Sequence, residues 1–113
     1  MDALLQEINQ AKAHFVCKHT GEELLLIPLK DNVADFNQYL VLNELGAFIW
    51  TALHPEVSYD ELQNLILNEF EVELENLRDD LEKFIPELHR YTCGSWQPSV
   101  ASLLVTLYMP DVP

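Results

Sequence analysis

The apolar positions change period along the chain. Leu4, Leu5, Ile8 and Ala11 fall on one side of residues 1 to 13, a short amphipathic helix or a frayed end. In "HFVCKHTGEELLLIPLKD" the pattern becomes that of a hairpin: Phe15 and Cys17 alternate with Val16 and Lys18, Thr20-Gly21 supplies a turn, and Leu24 to Ile27 forms a second apolar strand. Pro28 cannot donate to a ladder, so its expected place is that strand's end. A polar loop, "KDNVAD", leads to a third strand at Tyr39 to Leu42.

From residue 43 the period is helical. Asn43 is a good N-cap for a first helix, and Glu44 suits the positive end of its dipole, which explains the polar corner in "QYLVLNELGAFIW". Gly46, in that helix's first turn, costs up to about 1 kcal/mol of propensity relative to alanine. Close approach of the backbone to a neighbouring element would compensate. Ser58 to Glu61 is an S-x-x-E capping box opening a second helix with Leu62, Leu65, Ile66 and Phe70 on one face. A third runs from Leu74 to His89 with Leu77, Leu81, Phe84, Ile85 and Leu88 at three-and-four spacing, and Pro86 predicts a kink or an early end. Beyond "TCGSWQPS", read as a Gly-containing turn, the tail "VASLLVTLYM" is apolar enough to want a partner surface, as a strand or a short helix. The sum is a winged-helix-like α+β domain, a three-stranded antiparallel sheet followed by three helices, with the chain ends packed on it or exchanged with a second copy.

Charge narrows the function. Nineteen acids against six Lys plus Arg leave a net charge of −13, and the bases form no stripe. Such a surface repels phosphate backbones and disfavours nucleic-acid binding. No apolar run is long enough to cross a membrane, and "MDALLQEINQ" has no basic region of a secretory signal. Cys17 and Cys93, far apart and without a CxxC, read as reduced thiols of a cytoplasmic protein.

Signals for catalysis are weak. His14 would face away from Cys17 and His19 on a strand, so the three do not converge on a metal. "CGSW" faintly echoes a cysteine-protease signature without its second cysteine, and P-loop, GxGxxG, HExxH and GxSxG motifs are absent. The acid-rich "NEFEVELENLRDDLEK" reads as a solvated face, or as a surface that steers a basic partner.

"LNELGAFIW", entering the first helix, resembles the "LNE-x-[GA]-x-x-[IL]-W" pattern of the PqqD-like family, whose type member takes part in pyrroloquinoline-quinone biosynthesis. The downstream "[ST]-x-x-E-[LI]…EF-x-V" element is similar as well. The resemblance spans residues 14 to 91, with an N-terminal extension, 1 to 13, and a tail, 92 to 113, outside it; Pro86 departs from the family's uninterrupted third helix.

The resemblance implies a non-catalytic RiPP recognition element without cofactor or metal. Such a peptide chaperone holds the leader of a ribosomally made precursor peptide and presents it to a modifying enzyme, often a radical-SAM protein. The family's mode adds the leader as a strand to the third strand's edge, here Tyr39, Leu40, Val41 and Leu42, against a third helix offering Leu74, Leu77, Arg78, Leu81 and Ile85. Some of these five must face the core instead. The alternatives are a winged-helix transcription regulator, which would need a basic recognition helix, and a structural subunit of a larger enzyme. The open edge, apolar tail and amphipathic N-terminus also predict a homodimer.

Overall fold

Leu24 and Leu42 face each other on neighbouring antiparallel strands, and the sheet extends outward from that pair. The computed structural model describes residues 1–30, 33–34, 39–93 and 104–107. Its α+β order has an N-terminal helix, the three expected antiparallel strands and three helices.

Strands β1 (Phe15–Thr20) and β2 (Glu23–Lys30) pair from Phe15↔Pro28 to Thr20↔Glu23. Gly21, at φ 65°, takes the left-handed position in their turn. Pro28 does not end β2, which runs on to Lys30. It stands opposite Phe15, where pairing with β1 stops, so its missing N–H interrupts no continuing ladder on that side. Leu29 and Lys30 then pair with a short β3 (Val33–Ala34), inside the stretch expected as loop.

On the other edge of β2 lies β4 (Tyr39–Leu42), antiparallel over Leu24↔Leu42 to Leu26↔Leu40. The tail resolves its two readings as a strand, β5 (Leu104–Leu107), parallel to β4. The sheet order is therefore β1-β2-β4-β5. Beyond Cys93, the turn expected around Gly94 lies outside the described residues.

Asn43 Oδ1 accepts from Gly46 N at 3.0 Å and opens α2 (Glu44–Ala52). A Cβ at Gly46 would stand 3.2 Å from Leu42 Cβ, 3.2 Å from Asn43 Oδ1 and 3.3 Å from Phe84 Cζ. The close approach expected from the sequence is thus real, and Phe84 brings the last helix into it. Ser58 Oγ accepts from Glu61 N at 3.1 Å and opens α3 (Tyr59–Glu69).

Helix α4 (Leu74–Cys93) does not end early at Pro86 but continues to Cys93. Pro86 is exposed, so the Glu82 carbonyl that loses its helical donor lies on the solvent side and can be hydrated.

The N-terminal segment is a full part of this core. Helix α1 (Asp2–Ala11) buries Leu5, Ile8 and Ala11 and lies along α4. Asp2 Oδ1 accepts from Tyr59 N at 2.8 Å at the start of α3, and Lys12 Nζ donates to Leu53 O at 2.9 Å. Leu5 and Ile8 join Leu24, Leu26, Leu40, Leu42, Leu62, Ile66 and Leu88 in one core cluster.

Two substitutions test the strand-to-helix corner by chemical denaturation. Asn43→Ala is expected to cost about 1 kcal/mol through the lost cap. Gly46→Ala is expected to destabilise by about 1 kcal/mol despite alanine's better propensity, because Leu42 Cβ, fixed to the backbone, cannot retreat. A stability gain in G46A would show that the corner has slack.

Candidate functional site

The strand alternation of β4 sends Leu40 and Leu42 to the helix-covered face with Leu24 and Leu26. Val41 points to the other face beside Leu25, and it too is buried; Tyr39 is half-buried. With side chains committed on both faces, what β4 can offer to another chain is its backbone. One of its edges belongs to β2. The other, expected to be open, is paired with β5 in the register Tyr39↔Leu104, Leu40↔Val105, Val41↔Thr106 and Leu42↔Leu107. The sequence carried a signal for this partner, an apolar run containing β-branched Val105 and Thr106, but its periodicity did not separate strand from helix.

The five α4 candidates divide in two. Leu77, Leu81 and Ile85 are wholly buried in the core cluster, whereas Leu74 is 39% exposed and Arg78 is exposed. Arg78 is also tied to α3: its Nε donates to Gln63 Oε1 at 2.9 Å. Gln63 is itself buried, and its Nε2 donates to Tyr59 O at 3.2 Å. Sequence reading missed this polar link, because Gln63 sits on the turn after a capping box and looks like an ordinary surface position.

Tyr59 belongs to the same α3–α4 contact. Burial, reinforced by the charge of Glu82, holds its phenol above its ordinary pKa, against the opposing pull of Arg78. The hydroxyl is buried and meets no hydrogen-bonding partner among the described residues.

Near the end of β4, an open cleft lies between the β1–β2 turn and α2. It is lined by Phe48 and Phe70, edge to face at 5.4 Å, and by Glu22, Glu44, Glu69 and His19. Two aromatic rings beside three carboxylates are chemistry that suits the stem and head of a Lys or Arg side chain.

The sequence's weak metal signal gains nothing here. His14 lies in a 3-10 turn (Lys12–His14) ahead of β1, and Trp50 Nε1 donates to Cys17 Sγ at 3.2 Å. Among the described residues no group of three His, Cys, Asp or Glu side chains could hold an ion. No helix among them is long and apolar enough to cross a membrane.

The family model for coenzyme PQQ synthesis protein D (PqqD) matches residues 23–92. The chain belongs to the PqqD family. PqqD proteins are non-catalytic peptide-binding chaperones. The match begins with the first residue of β2 and takes in β4 and nearly all of α4, while α1, β1 and β5 lie outside it. No curated protein and no solved structure matches the chain.

Tyr59 gives this region a pH signature. With its pKa raised in the folded state, the native protein keeps a proton that the unfolded chain loses near pH 10, so stability falls as pH rises past 10. Tyr59→Phe is expected to be neutral or slightly stabilising at pH 7, since it removes an unpaired hydroxyl, and to reduce the alkaline loss. Denaturation midpoints at pH 7 and above pH 10 check both; a clear loss at pH 7 would reveal a partner for the hydroxyl.

Proposed function

We propose that this PqqD-family chain is a peptide chaperone that holds the leader of a ribosomally made precursor peptide by strand addition at β4 and presents it to a modifying enzyme, a radical-SAM protein above all. The observation that carries this reading is the family match over residues 23–92, which takes in β4 and nearly the whole of α4. Its setting would be cytoplasmic, in keeping with Cys17 and Cys93 as free thiols.

The geometry supports a backbone-led mode. An added strand would pair with Tyr39, Leu40, Val41 and Leu42. That this edge accepts a strand is supported by β5, which pairs with all four residues. Of the α4 residues, Leu74 and Arg78 are accessible to a ligand, while Leu77, Leu81 and Ile85 would support the site from inside the core. Affinity would then come from the ladder and a few apolar anchors. The acids contribute chiefly rate, by drawing a basic segment of the leader to a surface of net charge −13. Self-association would have a specific route too, exchange of β5 between two copies.

Amide-shift mapping with the precursor peptide encoded beside the gene tests the site. Shifts are expected at Tyr39–Leu42 and around Leu74 and Arg78; shifts confined to β1 or α3 would overturn it. Asp79 and Glu82 are exposed on α4. Changing both to Lys is expected to slow association several-fold at low salt and to flatten its salt dependence, with dissociation little changed. Stopped-flow rates across a salt series provide the check.

A further inference from the structure

The strand already seated on β4 has a consequence for any ligand of that edge. Its register uses every residue of β4, from Tyr39↔Leu104 to Leu42↔Leu107. A peptide added to this edge and β5 therefore compete for the same amides and carbonyls. We propose that Leu104–Leu107 is a built-in occupant of the β4 edge, which an incoming strand must displace, and that the edge takes short extended segments of the tail's chemistry, aliphatic and β-branched.

This deepens the peptide-chaperone reading and rests on it. Four observations favour a displaceable occupant over a fixed part of the sheet. First, β5 lies outside the family-matched residues 23–92, which hold β2, β4 and the helices α2 and α3 entire. Second, β4 does not need β5 to stay in place, because Leu40 and Leu42 are locked into the core cluster with Leu24 and Leu26. Third, β5 is short, Leu104–Leu107, and its ladder is parallel, the less stable pairing per residue. Fourth, only residues 94 to 103 separate it from the end of α4. A connection of so few residues holds the tail near β4, where it competes with a weak ligand and yields to a strong one.

A peptide meeting the full chain sees only the fraction of molecules whose edge is vacant. If the tail is paired about nine-tenths of the time, apparent affinity falls roughly tenfold. The edge would then discriminate against weak apolar strands, which cannot displace the tail.

The test keeps the full chain and changes one tail residue at a time. Alternate residues of a parallel strand turn their N–H toward a given neighbour, so one of Val105 and Thr106 donates to β4 and the other faces away. Val105→Pro and Thr106→Pro are made separately; one releases the edge and the other is its control. The probe is a synthetic peptide of residues 102 to 109, SLLVTLYM.

The releasing variant is expected to bind this probe about tenfold tighter than the unaltered chain and to exchange its outward β4 amides about tenfold faster, with the control variant close to the unaltered chain. Equal affinities and equal exchange in all three proteins would overturn the proposal. The precursor peptide, run alongside, separates this idea from the reading it rests on. If the releasing variant takes SLLVTLYM at β4 but not the leader, self-occupancy stands and the leader reading fails. If the leader binds all three proteins equally at β4, self-occupancy fails and the leader reading stands.

Discussion

The corner at Leu42, Asn43 and Gly46 is the contact on which the rest of the structure depends. There the sheet stops, α2 starts, and Phe84 of α4 comes within 3.3 Å of where a side chain at Gly46 would begin. One glycine lets three elements meet without a gap. The Asn43 side chain fixes the direction in which α2 leaves β4 by accepting from Gly46 N. With that angle set, Leu45 and Ile49 reach the same core as Leu40, Leu42 and Leu81. A cap, a close approach and a buried face are thus satisfied by neighbouring residues.

That economy explains how much was legible in the sequence. The corner has a local chemical cause, so "LNELGAFIW" announced the strand end, the cap and the close approach together. Ser58 marked its helix for the same reason. Pro28 and Pro86 were less informative, because a proline's effect depends on what its missing N–H would have met. Pro28 falls where pairing with β1 ends, and Pro86 faces water, so β2 and α4 both continue through. Of the expected groove, the α4 residues could be named as a set but not sorted. Heptad-like spacing identifies the face of Leu77, Leu81 and Ile85, and it does not say whether a ligand or the protein's own core lies against it. The partner of β4 was hidden for a related reason, since pairing is a long-range property and Leu104–Leu107 carries no local mark of where it goes.

Burial on both faces of β4 has a chemical implication for recognition. A strand that exposed a row of pockets would read a peptide residue by residue. Here Leu40, Val41 and Leu42 are all buried, so in the proposed strand-addition mode contact with another chain would run chiefly through main-chain groups. In that mode, discrimination beyond the chemistry of the paired segment would come from around the strand. Leu74, the Arg78–Gln63 link and the acidic cleft lined by Phe48 and Phe70 are the described features able to supply it.

An edge that pairs through its backbone is also open to strands other than its ligand, including one from another copy or from an unfolded protein. Proteins that keep such an edge for use cannot blunt it permanently with a proline or an inward charge, because the same device would exclude the ligand. In the proposed self-occupied state a strand of the same chain satisfies the amides and carbonyls of β4 until a ligand displaces it, at a cost set by a short parallel ladder, while the outward edge passes to β5. The net charge of −13 acts at longer range: it sets a repulsion that any exchange of β5 between two copies must overcome, and it would favour a ligand whose flanking segment is basic.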